Sequence, residues 1–353
     1  MANDQKVSAK TEQRRYCSQP APIPIVLPEG TSPIRASAIR LAKNKWVNGT
    51  VLHYAFLECP EWDWPEAQKA VVRWAFGEWL GLGIGLRFEE VGDPAEAEIK
   101  IGRLDGDGSW SFVGTDILKS ADRGRTMNFG WDLTTLWGHA TALHEIGHTL
   151  GFQHEHQNPQ SGLVWDEDKV YAHFLESDGW NRDSTYQNII EKLSANGAQG
   201  SRWDPKSIMH YPFDPGLIKA PKPYDQKGIG ENTKHSKQDK KWVLYWYPSS
   251  AKALPLQLMQ VARFSGNAGD QIDFSFRPEA SRDYHINAVG TADTKIVLFE
   301  CRDGEPRHYD SEDDSGTAEN AQITAKLVAG RDYIVRARLH YRPEGSEAGV
   351  LIF

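Results

Sequence analysis

The stretch "TALHEIGHTLGFQHEHQNP", residues 141–159, holds four histidines and two glutamates within thirteen residues, although the whole chain of 353 residues has only 12 histidines. It contains the pattern His144-Glu145-x-x-His148 inside a helical spacing of apolar residues. Positions four apart share one face of a helix, so both imidazoles can reach a single ion. Glu145 points at a different angle, where it can hold a water molecule.

The pattern continues beyond the helix. Gly151 lets the helix end abruptly and the chain turn back, so that His154 can supply a third nitrogen. Three ligands leave a fourth position open, which distinguishes a catalytic zinc from a structural one. Some 55 residues on, "SIMHYPF" adds Met209 and Tyr211. The long zinc motif followed by a methionine turn is typical of metzincins, so the sequence predicts one catalytic Zn²⁺ rather than incidental histidines at a buried helix end.

This set of residues predicts hydrolysis. Zinc lowers the pKa of a bound water and polarises a carbonyl, and Glu145 would take the proton of that water and pass it to the leaving amine. Tyr211 is a candidate donor to the oxyanion, the alternative being an aromatic that packs beneath the site. Met209 is expected to form an apolar floor under the ligands, because a thioether is a poor zinc ligand.

Composition limits the classes of partner. The net charge of −8 argues against nucleic acid or an anionic membrane, and no apolar run is long enough to span a bilayer. The N-terminus lacks the apolar core of a secretory signal, so we expect a cytoplasmic protein or one exported by a non-classical route. The expected partner is a protein or peptide substrate, and the expected oligomeric state is a monomer.

The chain divides into three parts with an α+β character overall. Residues 1–42 are polar and interrupted by proline, which predicts an extended arm. Residues 43–250 combine short strands with helical patterns and predict a mixed sheet packed on helices. Residues 254–353 are a series of strands broken by Gly, Asp and Pro, which predicts an all-β sandwich.

Residues 43–248 resemble the astacin family of metzincin peptidases. The resemblance rests on "GSWSFVGTD" (108–116), on the zinc motif continuing into Glu155, and on "SIMHY". It implies zinc ligation by His144, His148 and His154 and catalysis by Glu145 in the cleavage of internal peptide bonds. It also implies that Tyr211 can ligate zinc at rest and swing towards the oxyanion.

The same resemblance implies that substrate lies extended along an edge strand. We expect that strand at "TMNFG", with Met127, Asn128, Phe129 and Gly130 as the residues concerned.

The chain also departs from the astacin pattern. Ser109 stands where the family has a cysteine, and Cys59 finds no mate, so the disulfides of the family are expected to be absent. The residues after Glu155 differ from the family's continuation, which makes its usual role in holding the matured N-terminus doubtful.

The C-terminal part is similar to bacterial pre-peptidase C-terminal domains, which are β-sandwiches. Its acidic turn "DSEDDSG" (310–316) could bind Ca²⁺ through carboxylate oxygens, or could be a solvated loop.

Cys17 lies beside two arginines in "RRYCSQPAPIP" (14–24). Positive charge lowers the pKa of a thiol, and a thiolate is a good zinc ligand. Cys17 could therefore fill the open zinc position and keep the enzyme latent until cleavage between it and Lys45. The alternative is a free thiol in a tail or on the surface.

Two other functions stay open at this point. The chain could be a binding or adhesion module whose zinc fold has lost turnover, although the intact Glu145 argues against this. It could also be an effector protease of narrow specificity.

Overall fold

The structure, a computed structural model, describes residues 16–20, 44–58, 64–193, 202–249, 252–267, 269–302, 305–312, 320–341 and 347–353. Within these ranges the buried apolar side chains form two clusters in the region that precedes residue 250, and one large and one small cluster in the region that follows it. No helix in these ranges is both long enough and apolar enough to cross a membrane.

The first region is built on a five-stranded sheet with the order β2-β1-β3-β5-β4. Strands β1, β2, β3 and β5 are parallel, and β4 pairs with β5 in the antiparallel sense. The strands are β1 (Val51–Phe56), β2 (Arg87–Glu90), β3 (Ile99–Gly102), β4 (Trp110–Ser111) and β5 (Met127–Asn128). A further two-stranded sheet joins β6 (Val164–Trp165) to β7 (Ile218–Ala220).

Six α-helices occur in the described ranges of this region. They are α1 (Glu66–Leu80), α2 (Leu136–Thr149), α3 (Glu167–Asp178), α4 (Arg182–Thr185), α5 (Tyr224–Lys227) and α6 (Lys237–Trp246). Short 3₁₀ turns cover Pro94–Glu96, Gly114–Arg123 and Glu155–Gln157, and a π-helical turn covers Tyr186–Ile190. The helical spacing around His144 and His148 therefore predicts α2 correctly.

Helix α1 shows how the cluster that covers the five-stranded sheet is built. Its buried residues Val72, Phe76 and Trp79 recur at helical spacing and lie on one face. The indole nitrogen of Trp79 donates to the carbonyl of Leu143 at 3.0 Å, so that α1 is joined to α2 by a buried hydrogen bond as well as by apolar contact. The packing fixes the position of α2, which carries the first two histidines of the motif.

The second region is the predicted β-sandwich. One sheet has the order β13-β12-β15-β10-β8 and the other the order β14-β11-β16-β9. The strands are β8 (Leu254–Pro255), β9 (Ala262–Phe264), β10 (Gln271–Phe276), β11 (Arg282–Gly290), β12 (Asp293–Arg302), β13 (Glu305–Glu312), β14 (Gln322–Leu327), β15 (Tyr333–Tyr341) and β16 (Ala348–Ile352). Alternation of buried and exposed residues along β14 places one face in the core.

A buried ion pair lies where the two regions meet. Arg336 and Asp273 form two hydrogen bonds of 2.7 Å, and both side chains are buried. Arg336 also donates to the carbonyl of Asn48, and Arg338 donates to the carbonyl of Trp246 at 3.0 Å. The sandwich is thus joined to the first region through charged side chains of β15.

Candidate metal centre

Helix α2 orients the first two histidines of the motif. Nδ1 of His144 lies 2.9 Å from the carbonyl of Ile208, and Nδ1 of His148 lies 2.8 Å from the carbonyl of Phe152. A backbone acceptor on one ring nitrogen fixes the ring and leaves the other nitrogen to face the site. Nε2 of both histidines therefore points into the same space.

The chain turns at Gly151 as predicted. This glycine has φ +91°, and a Cβ there would lie 2.5 Å from the carbonyl of Asn44, so only glycine fits. The turn brings back His154, whose Nε2 lies 3.0 Å from Nε2 of His148.

The carbonyls at the end of α2 are satisfied by side chains from distant parts of the sequence. The indole of Trp46 donates to Thr149, the hydroxyl of Tyr247 to Leu150, and the ammonium of Lys45 to Gly151. The last carbonyls of a helix have no partner within it, so these contacts stabilise the end that precedes the turn to His154. No local pattern in the sequence points to these three residues.

Cys17 lies among the three histidines. Its Sγ is 3.7 Å from Nε2 of His148, and one ligand atom from each of Cys17, His144, His148 and His154 lies within 4.8 Å of all the others. All four residues are buried.

These four residues fit a zinc ion. Ligand atoms of a tetrahedral zinc with nitrogen and sulfur ligands lie about 3.3–3.6 Å apart, close to the separations of 3.0 and 3.7 Å among His148, His154 and Cys17. Nε2 of His144 is buried and has no hydrogen-bond partner among the described residues. Burial lowers the pKa of His144 to about 4 and the pKa values of His148 and His154 well below their usual range. The imidazoles are therefore neutral, which is the form that binds a metal.

Glu145 lies beside the cluster. Sγ of Cys17 donates to its Oε2 at 3.6 Å, while its Oε1 has no hydrogen-bond partner among the described residues. Burial raises the pKa of Glu145 well above its usual value. A buried carboxyl with a raised pKa has the proton affinity that a general base requires near neutral pH.

The thiol of Cys17 differs from the expectation in one respect. Burial, followed by the charge of Glu145, raises its pKa, whereas the two neighbouring arginines were expected to lower it. Both arginines lie outside the described residues. A bound metal would favour the thiolate of Cys17, because a metal ion lowers the pKa of a thiol that coordinates it.

Tyr211 reaches the same space from the segment after Met209. Its hydroxyl lies 2.8 Å from Nε2 of His154 and donates to the backbone carbonyl of Cys17 at 2.6 Å. The hydroxyl thus contacts a predicted ligand and a peptide carbonyl at once.

Met209 is fully buried beneath α2. A Cβ on Gly147 would lie 2.4 Å from its sulfur, so the thioether packs directly against the helix backbone. Asp239 holds this turn by accepting from the hydroxyl of Ser207 at 2.6 Å and the amide of Ile208 at 2.9 Å. Asp239 is also the N3 residue of the capping box that begins at Ser236 and starts α6, and this sequence motif could have pointed to it.

The prediction for the substrate edge strand is wrong. Met127 pairs with Ile101 on one side and with Ser111 on the other, and Asn128 likewise has a strand on both sides. The four residues Met127, Asn128, Phe129 and Gly130 are buried. The edge strand on this side of the sheet is β4, because β5 lies between β3 and β4.

Other predictions have mixed outcomes. The first of these predictions concerns the disulfides of the family. Cys17 and Cys301 carry free thiols, and Cys59 lies outside the described residues. Glu155 accepts from the amide of Asp204 at 2.9 Å, and burial raises its pKa to about 7. The acidic turn considered for Ca²⁺ includes residues 313–316, which lie outside the described residues, so calcium stays a prediction.

Comparison with known proteins decides the family. The model of the peptidase family Astacin matches residues 38–247, more than half of the 353 residues. The chain belongs to the astacin family. It is therefore a zinc metalloendopeptidase, as the motif predicts, and protein or peptide is its class of substrate.

Several solved structures are similar to parts of this chain. A structure of myroilysin is 30% identical, with a TM-score of 0.53, and covers 60% of this chain and 98% of that chain. A second myroilysin structure is 26% identical, with a TM-score of 0.46, and covers 67% and 92%. The pre-peptidase C-terminal domain of collagenase from Bacillus anthracis is 13% identical, with a TM-score of 0.24, and covers 29% and 95%. No curated protein matches the chain.

Proposed function

We propose that this astacin-family chain is a latent endopeptidase in which His144, His148 and His154 hold the zinc and Cys17 fills its fourth position. The observation that carries the proposal is the convergence of these four ligand atoms within 4.8 Å, beside the carboxyl of Glu145. When bound, zinc supplies a Lewis acid that lowers the pKa of a coordinated water and polarises a carbonyl.

Glu145 acts as the general base. When Cys17 leaves, a water molecule can take the place of its sulfur, which lies 3.6 Å from Oε2 of Glu145. The carboxylate accepts the proton of that water as the oxygen attacks the peptide carbon, and then delivers the proton to the leaving amine. The apolar surroundings that raise the pKa of Glu145 favour both transfers.

Tyr211 stabilises the charge that develops on the substrate carbonyl. Its hydroxyl already donates to a peptide carbonyl, that of Cys17, at 2.6 Å. A donor in this position strengthens its hydrogen bond as the oxygen becomes negative, and this lowers the barrier to attack.

The arm acts as the latch. Its residues Tyr16 and Cys17 border the cleft whose wall includes His144, Glu145 and Tyr211. With the arm in place, Sγ of Cys17 lies among the three histidines and beside Glu145, in the position that the attacking water would take. Cleavage between Cys17 and Lys45 would allow these residues to dissociate.

The test combines activity with metal content. Full-length protein, Glu145→Gln, Cys17→Ala and Cys301→Ala are loaded with zinc and assayed on denatured casein. Cys301→Ala is the matched control, because this thiol lies in the sandwich. We expect little turnover in full-length protein and in Cys301→Ala, high turnover in Cys17→Ala, and a Glu145→Gln variant that keeps zinc and stays inactive even when combined with Cys17→Ala.

Other outcomes distinguish the alternatives. Equal turnover in full-length protein and Cys17→Ala would contradict the latch and leave the peptidase function intact. If Cys17→Ala binds zinc but does not cut casein, a mixed peptide library is tested next. Cleavage at one sequence only would favour an effector protease of narrow specificity. No cleavage of the library would favour the binding module.

A further inference from the structure

Residues 16–18 lie in the cleft in the manner of a bound peptide. The amide of Tyr16 donates to Oδ1 of Asp178 at 3.3 Å, the carbonyl of Cys17 accepts from Tyr211, and the amide of Ser18 donates to the carbonyl of Ser109 at 3.0 Å. Ser109 immediately precedes the edge strand β4. Each of three successive residues therefore has a backbone contact, and such contacts do not depend on which side chains the peptide carries.

The side chain of Tyr16 fills a pocket made of aromatic rings. Its ring centroid lies 4.7 Å from that of Phe174, 5.4 Å from that of Tyr211 and 6.3 Å from that of Phe213. His173 contributes an edge at 6.4 Å. Tyr16 is only 4% exposed, so the pocket encloses nearly the whole ring.

This pocket, which Tyr16 of the arm fills, adjoins the catalytic cleft. Tyr211 forms one wall of it and is also the proposed oxyanion donor, and Tyr16 itself borders the cleft that contains Glu145. Dissociation of the arm would expose the rings of Phe174 and Phe213 to water. Because exposure of aromatic surface is unfavourable, a substrate that presents an aromatic ring there would bind more tightly than one that does not.

We propose that the Tyr16 pocket is a substrate subsite, and that it selects peptides with tyrosine or phenylalanine at one position near the scissile bond. That position is the neighbour of the residue whose carbonyl accepts from Tyr211. The inference rests on the proposed function, because the pocket is available only after the arm has left.

The experiment uses the full chain with a site for a specific protease placed within residues 21–43. The protein is folded with its arm, loaded with zinc, cut, and separated from the arm. Peptides of one sequence carry a single tyrosine that is moved through each position around the scissile bond, with alanine as the reference. Burial of one aromatic ring predicts a kcat/KM about 10–100 times higher for tyrosine than for alanine at one position only, with phenylalanine giving a similar gain.

Pocket variants test whether α3 provides the selectivity. Phe174→Ala removes the nearest ring, and His173→Ala trims the rim with less risk to folding. Leu175→Ala is the matched control, since Leu175 lies on the same helix but is 62% exposed. We expect the ratio of tyrosine to alanine to fall at least about fivefold in Phe174→Ala, to fall less in His173→Ala, and to stay unchanged in Leu175→Ala.

A binding measurement separates this inference from the proposed function. Labelled peptides of residues 16–20 with Cys17→Ser, with and without Tyr16→Ala, are titrated into the cut protein after zinc removal, and fluorescence anisotropy is recorded. At least about tenfold tighter binding of the tyrosine peptide is expected. If no peptide is cleaved but this difference remains, the proposed function fails and the pocket stands. If peptides are cleaved or bound with less than a twofold preference for tyrosine at every position, the inference is overturned.

Discussion

The metal centre and the junction between the two regions are both buried and polar. They differ in whether their functional or charged groups have hydrogen-bond partners within the chain. At the junction, Arg336 and Asp273 bind each other through two hydrogen bonds, and Arg336 also reaches Asn48. In the metal centre, Nε2 of His144 and Oε1 of Glu145 are buried and have no hydrogen-bond partner among the described residues.

This difference distinguishes a cluster that stabilises the fold, at the junction, from a cluster that serves activity, at the metal centre. Burial of a polar atom without a partner costs free energy, so a fold keeps such atoms together where another ligand compensates for them. At the junction, the charges of Arg336 and Asp273 are satisfied by each other within the chain. The histidines and Glu145 gain their partners from a metal and from substrate. Substitutions should therefore change activity at one cluster and stability at the other.

The largest effect is expected from Glu145→Gln in the Cys17→Ala background. Loss of the general base should lower kcat/KM about 10²–10⁴-fold. The free energy of unfolding should stay the same or increase, because a buried carboxyl with a raised pKa is removed. Peptide hydrolysis and urea unfolding measure the two quantities, and Glu167→Gln, at an exposed position in the first turn of α3, is the control. A large loss of stability in Glu145→Gln would contradict the prediction that substitutions in the metal centre change activity and not stability.

Asp273→Asn should have the opposite profile. It leaves the buried charge of Arg336 without its partner, which costs about 3–5 kcal/mol in the free energy of unfolding. Turnover per folded molecule should not change. Replacing both Asp273 and Arg336 by leucine should cost less than the single change, since no charge is then left buried. Equal costs for the single and double variants would show that the ion pair is not what holds the junction.

Tyr211→Phe, again in the Cys17→Ala background, should lower kcat about 10²-fold, the effect of losing one donor to an oxyanion. Zinc content should be unchanged, because the three histidines remain. Tyr54→Phe serves as the control, since its hydroxyl bonds to Glu90 on the sheet. A loss of zinc in Tyr211→Phe would instead make the tyrosine a metal ligand.

The smallest effect concerns Lys45, whose ammonium donates to Gly151 at the end of α2. Burial, followed by the charge of Arg338, lowers its pKa from 10.5 to about 7. Between these pH values the unfolded chain binds more protons than the folded one, so this group makes the free energy of unfolding rise with pH. Urea unfolding from about pH 7 to about pH 10 should show a steeper rise in the wild type than in Lys45→Met, while Lys119→Met on the surface should match the wild type.

The sequence predicted the parts of the site that depend on local spacing. His144 and His148 lie one helical turn apart, and Gly151 and His154 follow within the same motif, so no knowledge of the tertiary fold was needed. Met209 and Tyr211 were found because they share one short segment, even though that segment is remote in sequence.

What the sequence could not predict depends on contacts between distant segments. Strand β5 was mistaken for the edge because the order of strands in a sheet is not the order in the chain. Lys45 and Tyr247 come from opposite ends of the catalytic region to cap α2, and Asp273 meets Arg336 across two strands of the sandwich. The aromatic pocket around Tyr16 is formed by residues of α3 and of the segment after Met209, and no sequence motif predicts it.

X-ray absorption at the zinc edge of the full-length protein tests the central claim most directly. We predict about three nitrogen ligands at about 2.0–2.1 Å and one sulfur ligand at about 2.3 Å. In Cys17→Ala the sulfur signal should vanish while the nitrogen signals remain, and Cys301→Ala should match the wild type. A full-length protein that binds zinc without any sulfur ligand would contradict the account of Cys17 as the latch.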